Sequence, residues 1–190
     1  MQRDSNQSLM VIVYVGMMAA MIFVATYFFK FEIMTPTGPV MIKTANILCL
    51  LAGMLFGGFL GGLSAGIGSM LFDLMDPKYA ATAPFTLCFF FFMGMICGMV
   101  SHSGSARGDS FARNAIGATL GALTYFVLNS MRNVMELVVA GSTFVPAIIA
   151  SMPKLAVSAI NLFVGIAGSL ALVRLIYQPL KRAGILARFQ

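Results

Sequence analysis

The chain has 190 residues, 59% of them hydrophobic and 9% charged, with a formal net charge of +6 and a mean hydropathy of +0.93. Those values exclude a soluble domain and fit an all-α integral membrane protein, one membrane domain spanning residues 1–190. The apolar runs do not alternate, which argues against a β-barrel, and the basic residues sit at membrane edges, which favours positive-inside topology over nucleic-acid binding.

Residues 9–29 are predicted to form the first helix. No strong basic region precedes it and no small-residue cleavage site follows, so it reads as a retained helix rather than a signal peptide. Gly16 and Ala20 stand four apart in a small-xxx-small pattern, with Ala19 beside them. That pattern serves either packing within the bundle or docking against another membrane protein. Residues 30–43, which contain Pro36, Gly38 and Pro39, are read as a non-helical connection.

The uncharged stretch 44–72 organises the rest. As one helix it would be roughly 43 Å long, against a hydrocarbon core of roughly 30 Å. It holds seven glycines, including the pairs Gly57-Gly58 and Gly61-Gly62. The pairs predict a fold-back into two helices, 44–58 and 61–75. A turn at Asp76-Pro77-Lys78 leads to helices at 84–101, 114–139 and 151–176, with Pro146 and Pro153 leaving the start of the last one open. The result is a bundle of six transmembrane helices with both termini cytoplasmic. Arg3, Arg107, Arg113, Arg174, Lys181, Arg182 and Arg188 then share the inner side, and Lys30, Lys43 and Lys78 lie opposite.

Polar residues gather toward the outer half. Asn129, Arg132, Asn133 and Glu136 share one face of the fifth helix, and Tyr125 continues that face inward. Lys154, Ser158 and Asn161 share a face of the sixth, Asp73 ends the third helix, and Asn46 opens the second. An acid at a helix C-terminus opposes the dipole, so Asp73 is expected to pair with Lys43 or Lys154. Such groups in a membrane helix either pair with each other or line a cavity. The reading taken here is a pocket open outward and closed below, lined by Lys43, Asn46, Asp73, Tyr125, Asn129, Arg132, Asn133, Glu136, Lys154 and Asn161, with residues 36–43 as a lid. Cys49, Cys88 and Cys97 lie in apolar runs and read as inert buried thiols, so no disulfide, metal or cofactor is inferred.

The stretch LLAGMLFGGFLGGLSAGIGSMLFDL at 50–74, followed by YAATAPFTL at 79–87, resembles the substrate-binding S components of energy-coupling factor (ECF) vitamin transporters. It is most similar to the branch associated with hydroxymethylpyrimidine, pyridoxine and related B vitamins. The resemblance implies a small-molecule vitamin as ligand, a transmembrane coupling subunit and two ATPase subunits as partners, and a bacterial plasma membrane as the site of action. It also implies that the S component topples in the membrane to release its substrate. Gly16-x-x-x-Ala20 matches the family's Ala-x-x-x-Ala docking pattern with one glycine substitution, which assigns Gly16, Ala19 and Ala20 to partner docking. The chain departs from the pattern at Ile42-Lys43-Thr44-Ala45-Asn46 and at Leu87-Cys88-Phe89-Phe90-Phe91-Phe92. Arg132 and Lys154 keep pantothenate or another anionic vitamin open as the ligand. A standalone channel or exchanger and a structural membrane subunit are the rival functions. Enzymatic activity is not expected: Gly62-Leu63-Ser64-Ala65-Gly66 matches a nucleophile elbow literally but sits in a glycine-rich membrane helix, and the only histidine is His102.

Overall fold

A computed structural model describes residues 2–35, 38–104 and 110–182. The expected lid position Pro36, the loop residue Arg107 and the tail residue Arg188 lie outside the described residues. Among the described residues six α-helices form: α1 (Gln2–Phe28), α2 (Ala45–Phe56), α3 (Gly58–Met75), α4 (Ala83–Ser101), α5 (Phe111–Val139) and α6 (Phe144–Arg182). A short 3-10 turn, Ala80–Thr82, leads into α4.

The chain is not purely helical. The connection after α1 folds as an antiparallel ribbon of β1 (Lys30–Thr35) and β2 (Gly38–Lys43), in a register that pairs Lys30 with Lys43 and Thr35 with Gly38. The last helix starts at Phe144 rather than near 151 and continues through Pro153 and Pro179. Proline is tolerated inside a membrane helix when neighbouring elements satisfy the freed carbonyl.

The fold-back occupies one residue. Gly57 takes φ +82, where a side chain is strained, and α2 stops on one side of it and α3 starts on the other. Gly58, Gly61 and Gly62 lie inside α3, and their role is close approach. A Cβ on Gly61 would fall 2.5 Å from the Cα of Gly53, and one on Gly62 would fall 2.7 Å from the carbonyl oxygen of Phe91. The glycines therefore let α3 lie against α2 and α4 almost backbone to backbone.

Helix α2 is the hub, in contact with each of the other five helices. Ala45, Cys49, Leu50, Ala52 and Met54 are fully enclosed. At 12 residues it is only about 18 Å long. It does not need to span a bilayer by itself, because protein rather than lipid surrounds it. Among the described residues four segments are long and apolar enough to cross, Leu9–Phe28, Gly58–Met75, Ala80–Ser101 and Phe144–Leu180. Large apolar side chains such as Ile12, Met17, Phe59, Met99 and Phe163 point outward around the bundle, as a lipid solvent requires.

Candidate functional site

Beside the β-ribbon, four helices bring polar side chains together. The ribbon ends at Lys43, directly before α2, so the Lys43 side chain enters the bundle from the rim. Its Nζ donates to Asp73 Oδ1 at 3.0 Å, and Thr86 Oγ1 donates to the other oxygen, Oδ2, at 2.5 Å. The pair is well enclosed, with side-chain exposures of 12% for Lys43 and 2% for Asp73. Lys43 thus offsets the unfavourable end of the α3 dipole. The rings of Phe72, Tyr79 and Phe90 surround the ammonium at 5.6, 5.9 and 5.8 Å, within cation–π range.

Asn161 on α6 fixes the ribbon from the other side. Its Nδ2 donates to the Met41 carbonyl at 2.8 Å, and its Oδ1 accepts from the Lys43 backbone N–H at 3.0 Å. One side-chain amide therefore replaces a missing strand for β2. Asn129 on α5 donates to Ser158 Oγ on α6 at 3.1 Å, tying those helices at the same level. Tyr125 closes the floor, its ring 4.6 Å from that of Phe90.

These groups line a cavity of about 90 Å³, whose wall includes Lys43, Asp73, Tyr125, Asn129, Arg132, Asn133, Lys154 and Asn161. The remaining two candidates lie elsewhere. Asn46 is only 2% exposed and faces the bundle interior, where its Cβ meets the space at Gly165. Glu136 is largely exposed, its carboxylate 3.7 Å from Arg132, and it borders a different groove. Thr82 and Thr86 on the α4 side were missed from the sequence, yet each lines the cavity, as does Phe89 from the stretch 87–92 where the chain departs from its relatives.

Two residues of the cavity wall carry a buried donor without an acceptor. Arg132 Nε and Tyr79 Oη are buried and make no hydrogen bond among the described residues. Burial, with help from the charges of Glu32, Asp76 and Asp73, pushes the Tyr79 phenol up to about 12, so it remains a proton donor at neutral pH. Charge also holds the ribbon in place. Lys30 pairs with Asp76 at 3.0 Å and Lys78 with Glu32 at 2.9 Å, joining β1 to the α3–α4 connection. Burial opposes the Asp76 charge, but Lys30, the Lys78 backbone N–H and the Lys78 charge outweigh it and hold the carboxyl below its usual range.

On α1, Gly16 has open space where a Cβ would go, and Ala20 is exposed. Ala19 is turned inward instead, 4% exposed with its backbone against Gly68, so it does not share the outward face. Cys88 is exposed rather than buried. Ser64 is fully enclosed and donates to the Leu60 carbonyl at 2.9 Å, so the elbow-like motif presents no nucleophile. Among the described residues no His, Cys, Asp and Glu cluster suits a metal.

A family model described as ECF-type riboflavin transporter, S component, matches residues 6–178. The chain belongs to this family. A solved structure titled "Structure and mechanism of the S component of a bacterial ECF transporter" shares its fold, with a TM-score of 0.57 at 19% identity, covering 92% of this chain and 97% of that one. No curated protein matches the chain. As an S component it is the vitamin-binding, substrate-specific subunit of an ECF transporter, a multi-pass protein of the bacterial cell membrane and not an enzyme. It works in association with an ECF transporter module.

Proposed function

We propose that this S component captures a one-ring polar B vitamin or precursor, of the hydroxymethylpyrimidine or pyridoxine kind, in the cavity beneath the β-ribbon. The observation that carries the reading is the size and lining of that cavity. At about 90 Å³ it is well below the range of roughly 300–1,000 Å³ common for drug-sized ligands. It has room for roughly six to nine water-sized groups, which matches a single substituted ring. Phe89 and Tyr125 put aromatic rings in the wall, and Tyr79 Oη and Arg132 Nε, buried in that wall without acceptors, would bond a ring nitrogen, hydroxyl or carbonyl after a small side-chain shift. The Lys43–Asp73 pair is internally neutral, so Arg132 and Lys154 give the cavity a positive balance that suits a hydroxyl-rich or anionic substituent.

In this reading the substrate enters past the ribbon, and the Lys30–Asp76 and Lys78–Glu32 pairs set its resting position. Gly16 and Ala20 form the face that docks on a transmembrane coupling subunit driven by two ATPases. Both chain ends lie on the cytoplasmic side.

The test is native mass spectrometry of the purified protein with whatever small molecule it carries, followed by titration of pyridoxine and hydroxymethylpyrimidine. A bound one-ring vitamin, displaced by one of these compounds, supports the proposal. Riboflavin is the second reading, favoured by the description of the matching family. A flavin would need the ribbon to swing away, and its fluorescence in the purified protein would replace the first reading.

A further inference from the structure

A second cavity lies against the outside of the first. It measures about 540 Å³ and is lined by Leu128, Met131, Met135 and Val139 of α5, by Phe85 and Phe89 of α4, and by Arg132 and Glu136. Thr82, Phe85, Phe89 and Arg132 border both spaces, so the wall between them is one side chain thick. Its volume falls in the range of a built ligand pocket. Nearly all of its lining is apolar, and Met131, Met135, Val139 and Phe85 are exposed toward the surroundings of the bundle. The two charged groups at its edge are of opposite sign, 3.7 Å apart, with Arg132 the more enclosed at 24% side-chain exposure and Glu136 the more open at 59%.

We infer that this groove is a binding site for a phospholipid with a zwitterionic, primary-amine headgroup. The chemistry matches part by part. An acyl chain lies along the methionines, Leu128 and the two phenylalanines. The lipid phosphate, nearer the glycerol, accepts from the more enclosed Arg132. The terminal amine, farther out, donates to the more exposed Glu136. An anionic headgroup would set its charge beside Glu136, and a quaternary amine would offer Glu136 no hydrogen bond. Flexible methionines adapt to a chain that is itself mobile. Basic side chains between membrane helices bind lipid phosphate groups, and here Glu136, one turn from Arg132 at 3.7 Å, adds the acceptor for an amine. The inference stands apart from the vitamin's identity, although Arg132 serves both spaces.

The experiment is native mass spectrometry of delipidated full-length protein in detergent. Palmitoyl-oleoyl phosphatidylethanolamine, phosphatidylcholine and phosphatidylglycerol are offered in competition. A roughly fivefold preference for the ethanolamine lipid is expected, the scale of one partly exposed ion pair. Glu136→Gln should erase that preference, and Met135→Trp, which fills the groove, should lower retained lipid to the unspecific background. Equal retention of the three lipids by the wild-type protein overturns the inference, and that comparison needs no variant. Unchanged lipid retention in Met135→Trp together with lost assembly on the coupling subunit overturns it too, by showing a protein-docking face.

Discussion

Replacing Gly98 by alanine tests the close packing that the whole bundle depends on. A Cβ there would lie 2.4 Å from the carbonyl carbon of Gly57 and 2.5 Å from the Gly57 oxygen and the Gly58 nitrogen. All three are backbone atoms, at the reversal where Gly57 already occupies φ +82. No flexible side chain can swing aside, so α4 must move off the α2–α3 turn. Overpacking a filled site costs roughly 1–3 kcal/mol, and the rigid surroundings put this case near 3. Alanine returns about 1 kcal/mol of helix propensity, leaving a net loss of about 2 kcal/mol. For a chain of this size that corresponds to a fall in Tm of about 4–8 °C. The assay is thermal unfolding of ligand-free protein in one detergent, followed by circular dichroism. Gly16→Ala is the matched control, because nothing lies within 4 Å of its new methyl, and it should unfold slightly higher than wild type. A Gly98→Ala protein as stable as wild type would refute the backbone-contact account of the hub.

Lys43→Met leaves the Asp73 carboxylate, 2% exposed, without its ammonium, and should cost about 3–5 kcal/mol. The double variant Lys43→Met/Asp73→Leu should recover most of that loss in the same unfolding assay. A double variant no more stable than the single would show that the two residues do not act as a pair. Tryptophan at both Gly16 and Ala20 should abolish uptake in reconstituted vesicles while leaving vitamin binding intact. Lost binding would place those residues in internal packing instead. The pKa of His102, at the end of α4, is held below the ordinary histidine value of 6.5 by burial, only partly offset by the bond to the Gly98 carbonyl. The unfolded chain therefore takes up the proton first as the medium acidifies. Stability from the neutral ring is complete above about pH 6.5 and is lost as pH falls below it. His102→Gln should flatten the dependence of Tm on pH between about 7 and 5, and an unchanged slope would remove His102 as its source.

The reversal at Gly57 was legible because a reversal needs a backbone freedom that only certain residues have. The α5 stripe was legible because charge in a membrane helix is costly enough to be placed deliberately. The β-ribbon was not. Its alternation is short, Phe31 and Ile33 on one strand and Val40 and Ile42 on the other, and Pro36 and Pro39 argue against a strand. What holds it is Asn161, which stands 118 residues from Lys43 and 120 from Met41. The start of α6 escaped because proline weakens a helix in water more than in a packed membrane bundle.

The α4 side of the cavity escaped for a subtler reason. Threonine in an apolar helix can satisfy its own hydroxyl from the turn before, as Thr119 does on Ala115 at 2.8 Å and Thr124 on Leu120 at 2.9 Å. Such a residue leaves no unmet demand, so its presence alone points nowhere. Thr86 looks the same in sequence, yet its hydroxyl crosses to Asp73 on another helix. The difference is set by what stands opposite, and Asp73 is brought there by the close α3–α4 contact that Gly62 and Gly66 permit. Gly62, which read as part of a turn signal, thus acts with Gly66 to decide which threonine reaches the cavity's buried carboxylate.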